Sequence, residues 1–312
     1  MPSNLHFVKT VLLGAMILAT FSLEAANYQV TTITDELEQP WSIAELPDNN
    51  GFLVTEKTGR LLHIDNKGNT TTISGTPKVF FKSQGGLLDV ILDPEFANNQ
   101  RLYLSYSGGD ADTNRTTVVR AKLSADLLSD SEVILEVQPS KKKAAHFGGK
   151  LAFLPDGTLL LSVGEGFEYR EQAQSLNSEL GKLLRINSDG TAPTDNPFPD
   201  VAPRVYSYEH RNPQGLVVDP VEGTIWMAEH GPKGGDELNR IVPGTNYGWP
   251  AITYGLDYSG AIISPYTEAE GMAQPVMYWV PSIATSGLAI YRATAFSGWD
   301  GSLLTGALVD PK

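Results

Sequence analysis

Cysteine is absent from all 312 residues. That excludes disulfides, thiolate metal sites, iron–sulfur clusters and cysteine nucleophiles, while leaving the compartment open. Positive charge is scarce: 23 Lys and Arg stand against 36 Asp and Glu, a formal net charge of −13. Nucleic acid is therefore not an expected partner, since its binding needs clustered cations that displace counterions. No GxSxG, HExxH or Walker sequence occurs, and Gly164-Glu165-Gly166 lacks the third glycine of a dinucleotide fingerprint. Long apolar runs are missing too, with one exception. Lys9 precedes the run Thr10–Leu23, which ends at Glu24-Ala25-Ala26. A cation, an apolar segment of about 14 residues and small residues at its end read as a secretory signal over residues 1–26. The run is short for a membrane span, which needs about 20 residues. The mature chain, residues 27–312, is expected to be periplasmic or secreted and not membrane-spanning.

Turn formers and apolar residues are plentiful: Gly 30, Pro 20 and 41% hydrophobic. One pattern recurs, an apolar strand, a turn with Pro or Asp and Gly, and a second apolar strand. It occupies Trp41–Glu56, Gly86–Tyr106, Gly149–Glu165, Gly215–Glu229 and Gly287–Leu308. Short runs rich in β-branched and aromatic residues, broken by turn formers, are β-hairpins. Strand repeats at this spacing predict an all-β protein, a β-propeller forming a single domain over residues 27–312. At about 45 residues per blade, the length predicts roughly six blades. The chain ends at Lys312, soon after the fifth hairpin, so the last blade is expected to be incomplete. Helical signals are weak, and Glu171–Leu180 is expected to give a turn or two.

In a propeller, the loops entering the innermost strands open on one face. Side chains just before each first strand should therefore converge. These are Gln84 before Gly85, His146 before Phe147, Arg211 and Asn212 before Pro213, and Ser282, Thr285 and Ser286 before Gly287. His146 is the acid–base candidate, its ordinary pKa near 6.5 suiting proton abstraction at neutral pH. Arg211 is expected to clamp an anion or stabilise charge. Lys141, Lys142 and Lys143 read as a solvated loop. In Glu229-His230-Gly231-Pro232, a tight loop offers backbone carbonyls, hard oxygen donors suited to Ca²⁺. Asp236, Glu237 and Asp257 are acidic oxygens close by in sequence.

The segments KSQGGLLDVILDPEF, HFGGKLAFLPDGTLLLSVGE, GKLLRINSDGTAPTDNPF, HRNPQGLVVDP, EHGPKGGDELN and NYGWP occur in this order. Together they resemble the soluble PQQ-dependent sugar dehydrogenases, in particular the aldose sugar dehydrogenase branch, a family of six-bladed propellers. The resemblance runs from Gln39 to Leu308.

That resemblance implies oxidation of the C1 hydroxyl of an aldose sugar to the lactone, with PQQ and Ca²⁺ as cofactors and a quinone or soluble electron acceptor as partner. His146 would be the general base, with hydride passing from C1 to PQQ. Gln84 would bind the reacting sugar oxygen, and Arg211 and Asn212 the cofactor. The carbonyls of Gly231 and Pro232 would be calcium ligands, Ser282 would contact PQQ, and Trp279 would lie in the substrate-facing loop. Glu237, Tyr247 and Asp257 fall where the family has a second, structural calcium. Two departures stand out. The late Arg-rich motif of the family is absent, Val309 standing where some members carry Lys. Ala145 precedes the base where glucose-oxidising relatives have Asp, so the carboxylate that would orient the imidazole is expected to be missing. Two other readings compete: a calcium-dependent lactonase, which needs a carboxylate and Asn cage in the channel, and a non-catalytic binding propeller, which needs no base.

Overall fold

The structure is a computed structural model and describes residues 29–309. The leader-like segment, residues 1–26, lies outside the described residues. The first hairpin is β1 (Pro40–Glu45) and β2 (Phe52–Glu56), extended by β3 (Leu61–Ile64) and β4 (Thr70–Ile73). The second sheet holds β5 (Leu87–Leu92), β6 (Arg101–Gly108), β7 (Arg115–Ser124) and β8 (Leu127–Glu136). The third holds β9 (Leu151–Phe153), β10 (Leu159–Val163), β11 (Lys182–Ile186) and β12 (Val205–Tyr208). The fourth holds β13 (Pro213–Val218), β14 (Ile225–Glu229), β15 (Asp236–Ile241) and β16 (Met277–Trp279). A hairpin of β17 (Thr285–Ile290) and β18 (Leu303–Ala307) follows.

Each four-stranded sheet is an antiparallel meander whose strands pair in chain order. All five hairpins read from the sequence are present as the first two strands of their sheets. The turns follow their residues. In Leu154-Pro155-Asp156-Gly157 the Gly157 N–H closes onto the Leu154 carbonyl at 2.9 Å, with Gly157 at φ +81°. The Asp156 carboxylate takes the Thr158 N–H at 2.9 Å and starts the next strand.

The core lies between sheets. One apolar layer joins the first and second sheets through Leu53, Leu61, Leu87, Leu102 and Leu104. Another joins the second and third through Tyr103, Val118, Leu159, Leu161 and Leu184. A third joins the third and fourth through Leu160, Leu183, Leu216 and Met227. Both faces of an inner sheet are thus buried, which accounts for the near-continuous apolar runs in β6 and β10. The first strands β1, β5, β9, β13 and β17 pack beside one another in that order. This is the radial arrangement of a propeller, and it sets the loop before each first strand around one axis.

Candidate active site

Those loops line a cavity of about 370 Å³, a size that ligand sites commonly have. Gln84, His146, Arg211 and Asn212 all reach it, along with Ser286. Lys57, Lys150, Gln214 and His230 line it as well. Among the described residues no carboxylate lines this cavity, although the chain as a whole carries −13.

His146 is buried, 3% exposed, and stands at φ +49°. A non-glycine residue held there marks a conformation that the surroundings enforce. Its N–H donates to Gln84 Oε1 at 2.7 Å, and the Gln84 N–H to the Ala144 carbonyl at 3.1 Å. Gly148 follows at φ +64°, where a Cβ would stand 2.6 Å from the Ser162 carbonyl oxygen, so only glycine fits the turn that aims His146.

The imidazole Nδ1 lies 2.8 Å from Glu165 Oε1, and Glu165 is 1% exposed. The expectation of a missing orienting carboxylate is therefore corrected. Glu165 supplies it from the loop after β10, in the Gly164-Glu165-Gly166 turn. A carboxylate at Nδ1 fixes the N–H there and leaves Nε2 as the lone-pair nitrogen. Burial pushes the imidazole pKa below its ordinary value, the bond to Glu165 opposes this, and the charges of Arg211 and Lys141 reinforce it. The ring of Phe167 meets the imidazole edge-on at 5.1 Å and stacks in turn near Tyr258 at 6.4 Å.

Arg211 is held from behind by Glu229. Its N–H donates to Glu229 Oε2 at 2.6 Å, and Glu229 Oε1 meets His210 Nδ1 at 3.0 Å. Its guanidinium donates from Nη1 to the carbonyls of His230, at 3.0 Å, and Gly231, at 2.5 Å. Nε is buried with no partner. Asn212 accepts the Gly148 N–H at 3.2 Å and so ties the Arg211 loop to the His146 loop. Gly231 is further fixed by its N–H to Asp236 Oδ1 at 2.8 Å, and Ser282 Oγ donates to Asp236 Oδ2 at 2.7 Å. Ser282 thus stands one step behind the cavity. Trp279 sits on β16, paired with Asp236, and does not line it.

Glu237 and Tyr247 meet elsewhere. With Glu209, Glu229, Gly231 and Pro232 they line a space of about 10 Å³, room for an ion or a water. Glu209 Oε2 is buried there without a partner, and so, beside the space, is Oδ1 of Asn239, whose amide nitrogen donates to Glu229 and Glu237 at 3.1 Å. Desolvation raises the Glu209 pKa to about 7. Burial and the neighbouring Glu229 raise that of Glu237. Asp257 is not in this group. Its carboxylate closes a solvent-facing turn onto the Ser259 N–H at 2.9 Å and Oγ at 2.7 Å.

Lys141 departs from the expected solvated loop: it is 2% exposed, while Lys142 and Lys143 face solvent. Sequence reading also missed Lys57, Lys150, Gln214 and His230. Gln214 and Lys150 are inside the quoted motifs HRNPQGL and HFGGK, so the same register argument would have found both.

Residues 37–312 match the family model described as glucose/sorbosone dehydrogenase. The chain belongs to the glucose/sorbosone dehydrogenase family. As a member it is an oxidoreductase, a sugar dehydrogenase. It is 42% identical over 295 residues to aldose sugar dehydrogenase YliI of Escherichia coli, covering 91% of this chain and 79% of that one. It is 29% identical to quinoprotein glucose dehydrogenase B of Acinetobacter calcoaceticus, covering 89% of this chain and 63% of that one. The PQQ-bound aldose sugar dehydrogenase of Streptomyces coelicolor superposes on the dehydrogenase with a TM-score of 0.71 at 29% identity, covering 89% of this chain and 83% of that one.

Proposed function

We propose that this dehydrogenase oxidises the C1 hydroxyl of aldose sugars to the lactone, using PQQ and Ca²⁺, with His146 as general base. The observation that carries the reading is a carboxylate-backed histidine in the wall of a cavity lined by Lys57, Lys150 and Arg211 and, among the described residues, by no carboxylate. A polyanionic cofactor suits that lining, and the unpartnered Arg211 Nε is a donor in want of an acceptor. Among the described residues the cavity has no carboxylate cage of the kind a calcium lactonase needs. PQQ, when bound, supplies the hydride acceptor, and Ca²⁺ the polarisation of its quinone carbonyl.

The chain's own residues then act as follows. His146 takes the C1 hydroxyl proton at Nε2, and Glu165 stabilises the imidazolium through Nδ1–H. Gln84 has its Oε1 committed to the His146 N–H, so its amide NH₂ is free to donate to the sugar oxygen. Arg211 faces developing negative charge as a preorganised donor. Asn212 would hold the cofactor, and the Gly231 and Pro232 carbonyls would hold calcium. Glu237 and Tyr247, joined by Glu209, would hold a second Ca²⁺, to which the orphaned oxygens are suited. A six-bladed ring, and a periplasmic or secreted location following from the leader-like segment, complete the proposal. The test is dye reduction with glucose, xylose and maltose after addition of PQQ and Ca²⁺. His146→Ala should abolish it. His63→Ala should not, since His63 lies on β3 with its Nε2 against the Asn50 carbonyl. Equal activity in both variants would remove His146 from its role.

A further inference from the structure

Lys141 has no part in the chemistry above, yet a lysine 2% exposed needs a reason. Its ammonium donates to the Lys143 carbonyl at 2.7 Å and to Asn114 Oδ1 at 3.1 Å. It stands 3.4 Å from the ring centroid of Phe147, the residue after the base. Asn114 grips the same stretch: its backbone N–H and carbonyl pair with those of Lys141, and its side-chain amide donates to the Lys142 carbonyl at 3.0 Å. On its other side the Lys141 stem packs against Gly166, the residue after Glu165. A Cβ on Gly166 would come within 2.7 Å of Lys141 Cδ.

We propose that Lys141 is a positioning residue for the His146–Glu165 pair, a cationic wedge that fixes the loop carrying the imidazole against the loop carrying the carboxylate. Contacts on both sides support this role: the ammonium hooks the segment that leads to His146, and the stem packs against Gly166, next to Glu165. Its charge also faces the pair. Around His146 stand Glu165, which favours the imidazolium, and Arg211 and Lys141, which oppose it; His230 lies across the cavity. Lys141 itself is desolvated, which lowers its pKa to about 7 against the opposing pull of Glu165. This inference rests on the reading of His146 as the base.

The test is Lys141→Met, which keeps the stem and removes the hook and the charge. With PQQ and Ca²⁺ added, kcat should fall ~10- to 100-fold with KM within about twofold, as misplacement of a catalytic group does. In the protein without PQQ, an NMR titration of the His146 ring should move upward, on the order of half a pH unit, because an opposing cation is gone. The titration reports the lost charge, and the fall in kcat at near-constant KM reports the lost positioning; a residue that served stability alone would leave kcat where it was in the folded variant. Unchanged kcat in a variant that folds overturns the proposal, whatever the titration does. If Lys141→Met does not fold, Asn114→Ser unhooks the ammonium and keeps its charge. A kcat about tenfold lower supports the proposal, and an unchanged one overturns it. The ring titration needs no turnover, so it succeeds or fails separately from the assignment of His146 as base.

Discussion

Glu165 shows how much a single side chain decides. The imidazole of His146 has Nδ1 against Glu165 Oε1 at 2.8 Å, which leaves Nε2 as the basic nitrogen for the proposed proton abstraction. Glu165→Gln keeps the volume but removes the charge that stabilises an imidazolium. We expect kcat to fall by ~10²-fold or more with little change in KM, read by steady-state dye reduction. The pH dependence follows with its sign. His146 must be unprotonated to act, and burial together with Arg211 and Lys141 lowers its pKa. The kcat/KM profile should therefore rise with pH through an apparent pKa below about 6.5 and be flat above it. A limb well above that value would mean the base is another group. His146 and Gln84 were legible because they occupy the same register before successive first strands. Glu165 was not, because its role depends on a loop from the far end of the same hairpin folding back under the imidazole.

At the scale of elements, hairpins were readable because buried inner strands need apolar residues on both faces. The outer strands were not. β4 reads Thr70-Thr71-Thr72-Ile73, and only Ile73 is buried. The stretch Glu171–Leu180 was expected to give a turn or two of helix. It forms only a 3-10 turn at Arg170–Ala173. The segment is held instead by Lys182, whose buried ammonium donates to the carbonyls of Gln172, Ala173 and Leu180 at 2.7–2.9 Å. The inter-sheet layers carry the stability. Leu161 is fully buried between the second and third sheets. Leu161→Ala should cost about 2–5 kcal/mol, measured by denaturant unfolding with an unchanged slope.

Across the whole molecule, charge is segregated. An acidic chain presents at the mouth of its first strands a cavity lined by Lys57, Lys150 and Arg211 and, among the described residues, by no carboxylate. Three carboxylates, Glu209, Glu229 and Glu237, stand instead around the small space beside that cavity. Among the described residues no helix is long and apolar enough to cross a membrane. Calcium should raise the thermal midpoint, by an amount worth about 2.7 kcal/mol at a hundredfold excess over its Kd. Chelation should reverse the gain, and Glu237→Gln should abolish most of it. An equal gain in that variant would place the stabilising ion elsewhere. The most direct measurement is a single turnover. The protein loaded with PQQ and Ca²⁺ is mixed with glucose, and cofactor reduction is followed by absorbance. The account predicts that His146→Gln binds PQQ as the parent does but reduces it ~10²- to 10⁴-fold more slowly. Equal rates in the two proteins would contradict it.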